Sequence, residues 1–459
     1  MSRDDQLDHH VWLRFAAIIL AATGGLLFQA CESADRAERT PRPTIEGQVS
    51  QDEFTAHAET SLAANPRLPG NLLGAAIVYG EDFGGGLATY VSFDNGVTWQ
   101  SNGALRGSDN GRDPTVAFNA AGQGFVCGNT DVVSVWRTDD GGMSFESPVA
   151  VTDGEHTDHP WIAADRSSGP SSGNLYVVFS IDDNTRLGFS RSTDAGRTFE
   201  PVRRIATADA DIIAAPMLAA GKDGVVCAVY GVWPAESLGL HGDQAGDKKP
   251  TAIGRRPEII APVMVVCSTD YGETFGQPIE LGQGDMEIWL PDDAGSPGLP
   301  AVAADWNRDA IYASFITRQP DADHTSVVIS ASYDRGDTWS TAMPVSPETR
   351  NVYYIQPQVA VDAAGRVGIS AFVLEQGLVR VEFFVSDPGT LRFSAPVRVT
   401  PVPFDPAAGG LAGKHGVWWI GDYQGLTSSS EAFHLLWNDT RSGQLELFTA
   451  TMVTGRTSD

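Results

Sequence analysis

Short apolar runs, separated by turns rich in glycine, proline and small polar residues, follow one another along almost the whole chain. A typical run is residues 174–179, where β-branched and aromatic residues dominate, and another type opens on Pro-Val, as at residues 148–151 and 396–399. Runs of this length and composition predict β-strands. Four of them recur in each unit of about 50 residues, so the chain is predicted to be all-β and built from repeats.

One turn pattern recurs along these units. It reads Ser/Thr-x-Asp-x-Gly-x-Thr/Ser-Trp/Phe and occupies residues 92–99, 138–145, 192–199, 268–275 and 332–339, with an altered copy at 387–393. The carboxylate and hydroxyls can hydrogen-bond the backbone of a tight turn, while the glycine permits a positive φ. The aromatic residue can pack beneath the turn. We therefore assign these aspartates a structural role rather than a catalytic one.

A second motif interleaves with the first and consists of a polar or proline-bearing entry that runs into small and β-branched residues. Its seven copies begin at Glu59, Asp113, His159, Ala215, Leu299, Gln356 and Gly421. Seven units of four strands predict a β-propeller of seven blades, with six blades as the alternative. The last unit lacks an outer strand, which we expect residues 48–55 to supply.

The turn pattern is the Asp-box, and it resembles that of the sialidase and neuraminidase superfamily over nearly the whole mature chain. The resemblance implies a propeller, although sialidases have six blades. It also implies a tyrosine nucleophile activated by a glutamate, an aspartate acid/base and three arginines that grip a carboxylate. Tyr423, in the last entry, occupies a setting similar to that of the catalytic tyrosine. The arginine motif that opens the first sialidase blade has no counterpart at residues 57–60.

Propeller topology places all strand entries on one face, around the mouth of the central channel, with the Asp-boxes on the other face. The entry residues that should meet there are Glu59, Arg112, Asp113, Asp158, His159, Gln356, Asp422 and Tyr423. Each could simply hydrogen-bond the neighbouring blade, but together they predict a binding site.

The roles expected at this mouth follow from the resemblance. Tyr423 would be the nucleophile, with Glu59 or Asp422 as its base and Asp113 or Asp158 as the acid/base. Arg112 would meet a carboxylate or hydroxyl of the ligand, and Arg350 and Arg441 are further candidate grips. Aromatic residues near the entries suit sugar stacking; they are Trp289, Tyr353, Tyr354, Trp418 and Trp419.

The formal net charge of −27 argues against nucleic-acid binding, because phosphate backbones are repelled. No cofactor is expected, and no metal motif occurs, although surface carboxylates could hold Ca²⁺. An insertion in blade four, about residues 231–261, carries a cluster of basic residues. It is either a solvated loop or a lid that attracts an anionic ligand.

The first 31 residues predict a targeting segment. Arg14 precedes an apolar run, and residues 26–31 end in Cys31 in a pattern that resembles a bacterial lipobox. We expect a lipidated Cys31, a disordered tether over 32–47 and one propeller domain over 48–459. An ordinary secretory signal and a signal anchor are the alternatives. Cys227 and Cys267 fall in adjacent strands, where a disulfide and two free thiols are both consistent with the pattern.

Three classes of function remain open. The first is an exported sialidase-like hydrolase acting on glycans, acidic ones included. The second is a non-catalytic propeller that binds carbohydrate or protein at the cell surface, and the third is a lyase or other hydrolase on the same scaffold. The expected partners are a glycan or another small anionic ligand, with membrane contact through the lipid anchor only. The protein is expected to be a monomer.

Overall fold

The fold was analysed in a computed structural model. It describes residues 42–80, 85–154, 156–167, 169, 171–208, 211–234, 259–290, 294–319, 322–409, 419–430 and 432–454, without the side chains of 259, 286–290 and 294–297. Within these residues the strands form seven antiparallel sheets. The innermost strand of each sheet contacts that of the next, and the last contacts the first, which closes a ring. The prediction of seven blades is confirmed.

The strands of the seven blades, in chain order, have the following bounds. The chain starts with β1 (Arg42–Gln48), and blade 1 comprises β2 (Ala56–Ala64), β3 (Leu72–Tyr79), β4 (Gly86–Ser92) and β5 (Gln100–Ala104). Blade 2 comprises β6 (Arg112–Phe118), β7 (Gly124–Asn129), β8 (Val133–Thr138) and β9 (Val149–Ala150). Blade 3 comprises β10 (Asp158–Ala164), β11 (Leu175–Ile181), β12 (Arg186–Ser192) and β13 (Arg203–Thr207).

The second half of the ring continues the same order. Blade 4 comprises β14 (Ile212–Ala220), β15 (Val226–Trp233), β16 (Ile259–Ser268), β17 (Ile279–Leu290) and β18 (Ala294–Pro297). Blade 5 comprises β19 (Ala301–Ala304), β20 (Ile311–Thr317), β21 (Ser326–Ser332) and β22 (Met343–Pro344). Blade 6 comprises β23 (Val352–Val361), β24 (Val367–Glu375), β25 (Leu378–Val385) and β26 (Val397–Arg398). Blade 7 comprises β27 (Gly425–Ser428), β28 (Ala432–Asp439) and β29 (Glu446–Val453), and short 3₁₀ turns occur at Lys222–Gly224 and Pro406–Gly409.

The Asp-boxes fasten the turns between the third and fourth strands, on the face opposite the strand entries. In the first copy, Thr98 donates its backbone N–H and its hydroxyl to the Asp94 carboxylate at 2.9 and 2.6 Å. The Ser92 hydroxyl accepts the N–H of Gly96, whose φ of +86° suits only glycine without strain. The turn also bonds to the β2–β3 turn, because the Asn95 N–H donates to the Gly70 carbonyl at 2.9 Å. These contacts support the structural role expected for the aspartates.

The N-terminal strand β1 closes the ring. It pairs antiparallel with β29 and supplies the outer strand of blade 7, from Arg42 opposite Val453 to Gln48 opposite Phe448. The closing strand therefore ends at Gln48, where the sequence led us to expect it to begin, and it includes the end of the expected tether. Residues 49–55 instead form the link between β1 and blade 1.

A buried histidine joins the two ends of the ring. The His57 Nε2 lies 3.1 Å from the Asp52 carboxylate, in the link that follows β1, and its Nδ1 lies 3.1 Å from the Glu446 carboxylate of β29. Burial alone would lower the pKa of His57, but hydrogen bonds and charge from the two carboxylates raise it to about 9. We call Asp52, His57 and Glu446 the closure latch.

Blade 4 departs from the four-strand pattern. Its fifth strand, β18, forms a hairpin with β17. Cys227 and Cys267, opposite each other on β15 and β16, form a disulfide, and Cys127 is a buried free thiol. Most of the basic insertion, residues 235–258, and the whole targeting segment with Cys31 lie outside the described residues. Among the described residues, no helix is long and apolar enough to cross a membrane.

Candidate active site at the channel mouth

The innermost strands share a local irregularity that aims side chains at the channel axis. In five of them the register slips by one residue, so that two residues oppose one on the neighbouring strand. The first residue of each bulge has a positive φ, and these residues are Glu59, Asp113, His159, Ala215 and Gln356. Bulges of this kind bend the strand and redirect a side chain. Five entries that the sequence singled out therefore reach the mouth by the same backbone device.

A left-handed backbone is costly for residues other than glycine, roughly 1–2 kcal/mol each. Such strain is concentrated at functional sites, where the surrounding structure enforces it. In four of the bulges the next residue is proline, as at Pro114 and Pro160, so no backbone N–H is left without an acceptor there. At the mouth, Glu59, Asp113 and His159 are therefore held in position by a strained, left-handed backbone.

Four carboxyl groups and one imidazole come together at this mouth. The Glu59 carboxylate accepts the backbone N–H of Asp113 at 3.2 Å, and the two side chains are also hydrogen-bonded. The His159 Nδ1 lies 3.9 Å from the Asp113 carboxylate, and its Nε2 lies 3.8 Å from that of Asp422. We call Glu59, Asp113, Asp158, His159 and Asp422 the mouth cluster.

The cluster has a buried layer and an accessible layer. Glu59 and Asp113 are only 3 % and 6 % exposed. The side chains of His159 and Asp422 retain 18 % and 25 % of their exposure, and Asp158 is also partly exposed. A ligand that enters the mouth would therefore meet His159, Asp158 and Asp422 first, with the Glu59–Asp113 pair beneath them.

Burial and mutual repulsion give the buried pair an unusual affinity for protons. Burial, with the charges of Asp113 and Asp422, raises the pKa of Glu59 well above its ordinary value. Burial also raises the pKa of Asp113 to about 6, although the charge of His159 opposes it. The pair therefore shares a proton at neutral pH, which Glu59 holds as a donor to the ionised Asp113.

The same carboxylates act in the opposite sense on the imidazole. Burial would lower the pKa of His159, but the charges of Asp113, Asp158 and Asp422 outweigh it and raise the pKa. His159 is thus held as a cation above the pH at which a free histidine loses its proton. Perturbed groups of this kind, gathered at one end of the channel, are characteristic of acid–base sites.

Three members of the cluster also have the elements of a cation site. The potential ligand atoms of Asp113, Asp158 and His159 lie within 4.8 Å of one another. Among the described residues, these three side chains form a group that could hold a metal ion. Asp113 is also engaged with Glu59, and the charges of Asp113, Asp158 and Asp422 raise the pKa of His159 against the effect of burial. The three residues therefore combine a proton-sharing cluster with ligand atoms that could hold a cation.

Tyr423 lies below the cluster in a geometry that disfavours the nucleophile role. It is 1 % exposed, and its hydroxyl donates to the Pro114 carbonyl at 3.1 Å. Burial, with the charges of Glu59, Asp113 and Asp422, raises its pKa well above the ordinary value. A nucleophilic tyrosine needs access to the substrate and a lowered pKa. The structure places Tyr423 near the carboxylates, and their charges make its ionisation harder.

The remaining entry residues differ in their surroundings. Gln356 is buried, and its side-chain amide donates to the Gly421 carbonyl at 2.5 Å, so it joins blade 6 to blade 7. Arg112 is exposed at the start of β6, and its positive charge acts on Tyr79 rather than on a paired carboxylate. Arg112 is therefore the one predicted arginine whose charge reaches the surroundings of the cluster.

Arg350 and Arg441 are held by other partners. Arg350 is 86 % exposed and pairs with Asp323 at 2.9 Å. Arg441 pairs with Asp439 and Glu46 and stacks on the Phe448 ring at 4.4 Å. None of these contacts reaches the mouth cluster, so the expected role of the two arginines as carboxylate grips lacks support. Trp289 lies in β17, and its side chain is not among those described.

Three aromatic residues complete the mouth. The Trp161 ring packs edge-on against Tyr423 at 5.4 Å, and the Trp419 indole N–H donates to Asp422 at 2.7 Å. Tyr79, at the end of β3, has its pKa raised to about 12 by burial and by the charge of Glu59. The sequence analysis missed Trp161 and Tyr79. Tyr79 faces Ala56 across the β2–β3 ladder, so strand pairing could have placed it on the entry face.

Comparisons with known proteins find the Asp-box repeat. Residues 90–101 match the family model described as BNR/Asp-box repeat. A search of curated protein sequences gives no significant match.

Three solved structures illustrate the structural similarity. An α-L-arabinofuranosidase of Fusarium graminearum is 14 % identical over 90 % of this chain and 98 % of that chain, with a TM-score of 0.46. An ulvan lyase is 9 % identical over 89 % and 96 %, with a TM-score of 0.49. YCF48 bound to a peptide is 13 % identical over 90 % and 96 %, with a TM-score of 0.45. At these identities the comparison concerns the fold alone. The seven sheets show that the chain is a seven-bladed β-propeller, and residues 90–101 within it match the BNR/Asp-box repeat.

Proposed function

We propose that the channel mouth is an acid–base site that hydrolyses glycosidic bonds, with His159 as the proton donor and Asp422 as the base. The observation that carries this proposal is the position of His159 between Asp113 and Asp422, at 3.9 and 3.8 Å, above a buried carboxyl pair that shares a proton. This arrangement keeps an accessible cation and an accessible carboxylate side by side.

The chemistry follows from the two accessible groups. Protonated His159 gives its proton to the leaving oxygen as the glycosidic C–O bond breaks. A water molecule adds to the anomeric carbon and passes a proton to Asp422, which leaves His159 and Asp422 both neutral. Return of that proton from Asp422 to His159, 3.8 Å away, restores the starting charges with no net proton consumed. Glu59 and Asp113 act as positioning residues, because they hold the imidazole and stabilise its charge without meeting the substrate.

The charge of the site favours a neutral glycan over an acidic one. Four carboxyl groups lie at the described mouth, and the charge of Arg112 acts on the adjacent Tyr79. A sialic acid or uronic acid would bring another negative charge into this region. Sugar hydroxyls, in contrast, donate hydrogen bonds to carboxylates, and the half-buried rings of Trp161 and Trp419 offer apolar surface to a sugar face.

The test is a panel of neutral aryl pentosides and hexosides beside aryl sialosides and uronides. We expect turnover on a neutral member, with kcat lowered about 10²–10⁴-fold in His159→Gln and in Asp422→Asn. Activity should fall at alkaline pH as His159 loses its proton, and the raised pKa places that fall above pH 6.5. Asp323→Asn, which removes a mouth-face carboxylate bound to Arg350, is the matched control and should leave kcat unchanged.

Two further measurements separate the roles. Glu59→Gln should shift the alkaline limb of the pH profile, which a purely structural residue would not do, and EDTA should leave activity unchanged. Turnover that survives both His159→Gln and Asp422→Asn would refute the assignment. Glycan-array binding without turnover, lost in Asp422→Asn, would replace the hydrolase with the binding propeller, which the burial of Glu59 and Tyr423 also suits.

We also propose that the protein is exported and anchored by a lipid on Cys31. Support comes from the lipobox-like end of the apolar segment and from the Cys227–Cys267 disulfide, since disulfides persist in oxidising compartments. Cys31→Ser should release the protein from membranes, and mass spectrometry should find diacylglycerol on the mature N-terminus. An unmodified Cys31, or cleavage elsewhere, would refute the anchor.

A further inference from the structure

An arginine without a carboxylate partner lies at the opposite end of the channel, on the Asp-box face. Arg166 follows β10, and its Nη2 donates to the Ala64 carbonyl of blade 1 at 2.9 Å, so the side chain reaches from blade 3 past blade 2. Among the residues that the structure describes, no carboxylate lies within ion-pair distance of it. In a chain with a net charge of −27, an unpaired guanidinium at a channel end requires an explanation.

Equivalent turns in other blades show what is unusual about Arg166. In blades 5 and 6 the turn after the innermost strand begins with Asp305 or Asp362, and an arginine three or four residues later pairs with that aspartate at 2.9 Å. Blade 3 has the same aspartate, Asp165, which accepts the Ser167 N–H at 2.7 Å. Its arginine comes one residue after the aspartate, and it lines the channel instead of pairing there.

The channel holds a cavity of about 200 Å³ that extends from Trp161 and Gln424, beneath the mouth, to this end. Arg166 and Trp306 line it, together with the small and aliphatic ends of the innermost strands, such as Ala164, Ala220 and Ala304. This volume corresponds to roughly six or seven water molecules at about 30 Å³ each. Burial lowers the pKa of Arg166, and no described negative charge compensates for it. The cavity thus combines a partly buried cation with walls that mix aliphatic side chains with polar ones such as Gln358 and Gln424.

We infer that this cavity binds a small carboxylate, held by the guanidinium of Arg166 with its alkyl part against Trp306 and the alanine walls. Nη2 is occupied by Ala64, but a guanidinium has five N–H donors in a planar fork, which matches the two oxygens of a carboxylate. The aliphatic side chains of the walls favour a carboxylate with an alkyl group over a bare halide. The ligand would enter from the Asp-box face, because the carboxyl groups of the mouth cluster repel anions at the other end.

The experiment measures the thermal stability of the mature protein against propionate, acetate and chloride at constant ionic strength. We expect a saturable rise in Tm with propionate, a smaller rise with acetate and no saturable rise with chloride. Isothermal titration calorimetry should show propionate binding at least about tenfold weaker in Arg166→Gln, because the charge-assisted bonds are lost. Arg166→Lys should bind with intermediate affinity, since it keeps the charge without the fork.

Arg308→Gln and Arg366→Gln are the matched controls, because each removes one positive charge from the equivalent turn of another blade. Both should bind propionate like the parent. Asp422→Asn should also bind it normally, which separates this site from the proposed catalytic site.

Equal binding in Arg166→Gln, or in chloride and propionate alike, would overturn the proposal. If Arg166→Gln does not fold, Trp306→Phe provides the second test. In the parent, contact with the Trp306 ring should alter the chemical shift of bound ¹³C-labelled propionate. The bound shift should therefore differ between the parent and Trp306→Phe, and an equal shift in the two proteins would overturn the proposal.

Discussion

The closure latch should make the stability of the propeller depend on pH in a specific window. Both ring nitrogens of His57 face acceptors at 3.1 Å, Asp52 on one side and Glu446 on the other, and Tyr90 and Ser101 also donate to Asp52 at 2.9 Å. An imidazole with acceptors on both nitrogens is satisfied only when it is protonated. Deprotonation would therefore break either the bond of His57 to Asp52, in the link after β1, or its bond to Glu446 of blade 7.

The size of the effect follows from the pKa of His57. The folded protein holds it at about 9, against 6.5 for a free histidine. At about 1.4 kcal/mol for each tenfold change in proton affinity, this difference corresponds to about 3 kcal/mol. The folded state holds the proton of His57 more tightly than the unfolded state does. The stabilisation from protonated His57 is therefore complete below pH 6.5, and it disappears as the pH rises through 9. The pKa of Asp52, lowered to about 2, reflects the same contact and is not counted again.

The assay compares the free energy of unfolding in urea for the parent and His57→Gln at pH 6, 7, 8, 9 and 9.5. The difference between the two proteins should shrink by about 3 kcal/mol across this range. Taking the difference removes the alkaline effects of other groups, which the parent and the variant share.

His434→Gln is the matched control. His434 is also a buried histidine, but its ring contacts the Thr451 and Ser429 hydroxyls, and burial lowers its pKa to about 4. Its proton affinity therefore affects stability only between about pH 4 and 6.5, where stability rises with pH, and not above. A constant difference between the parent and His57→Gln from pH 6 to 9.5 would refute the latch.

Three further predictions concern the Asp-boxes and the mouth. Phe199→Ala should lower the free energy of unfolding in urea by about 2–4 kcal/mol, and Asp194→Asn should lower it by about 1–2 kcal/mol. Both variants should retain activity. An Asp194→Asn protein that is fully folded but inactive would contradict the structural role. Tyr423→Phe should cost about 1–3 kcal/mol because the buried Pro114 carbonyl loses its donor, and it should keep kcat within about threefold. A phenolate absorbance at 295 nm below pH 9 that disappears in Tyr423→Phe would restore the nucleophile. Glu59→Gln should be more stable than the parent at pH 7, because a carboxyl with a raised pKa loses stability as pH rises, and equal urea midpoints from pH 4.5 to 7 would argue otherwise.

The sequence by itself determined the architecture. The Asp-boxes and the strand entries are local patterns, and each specifies a turn or strand through its own side chains and backbone. Their repetition sets the number of blades, and strand alternation then fixes which ends meet at the mouth. Glu59, Asp113, His159, Asp422 and Tyr423 could be grouped from these rules alone, without knowledge of any contact between them.

Tertiary structure alone decided what those residues do to one another. Whether Tyr423 is activated or suppressed depends on its burial and on the Pro114 carbonyl, which comes from a blade about 300 residues away. The sequence does not distinguish the surroundings of Arg441 from those of Arg166. In the structure Arg441 pairs with Asp439 and Glu46, whereas no described carboxylate lies within ion-pair distance of Arg166. Proton affinities and ion pairs depend on desolvation and on distances between residues from different blades. A periodic pattern fixes the position of each blade but leaves open which charges the blades bring within a few ångströms of each other.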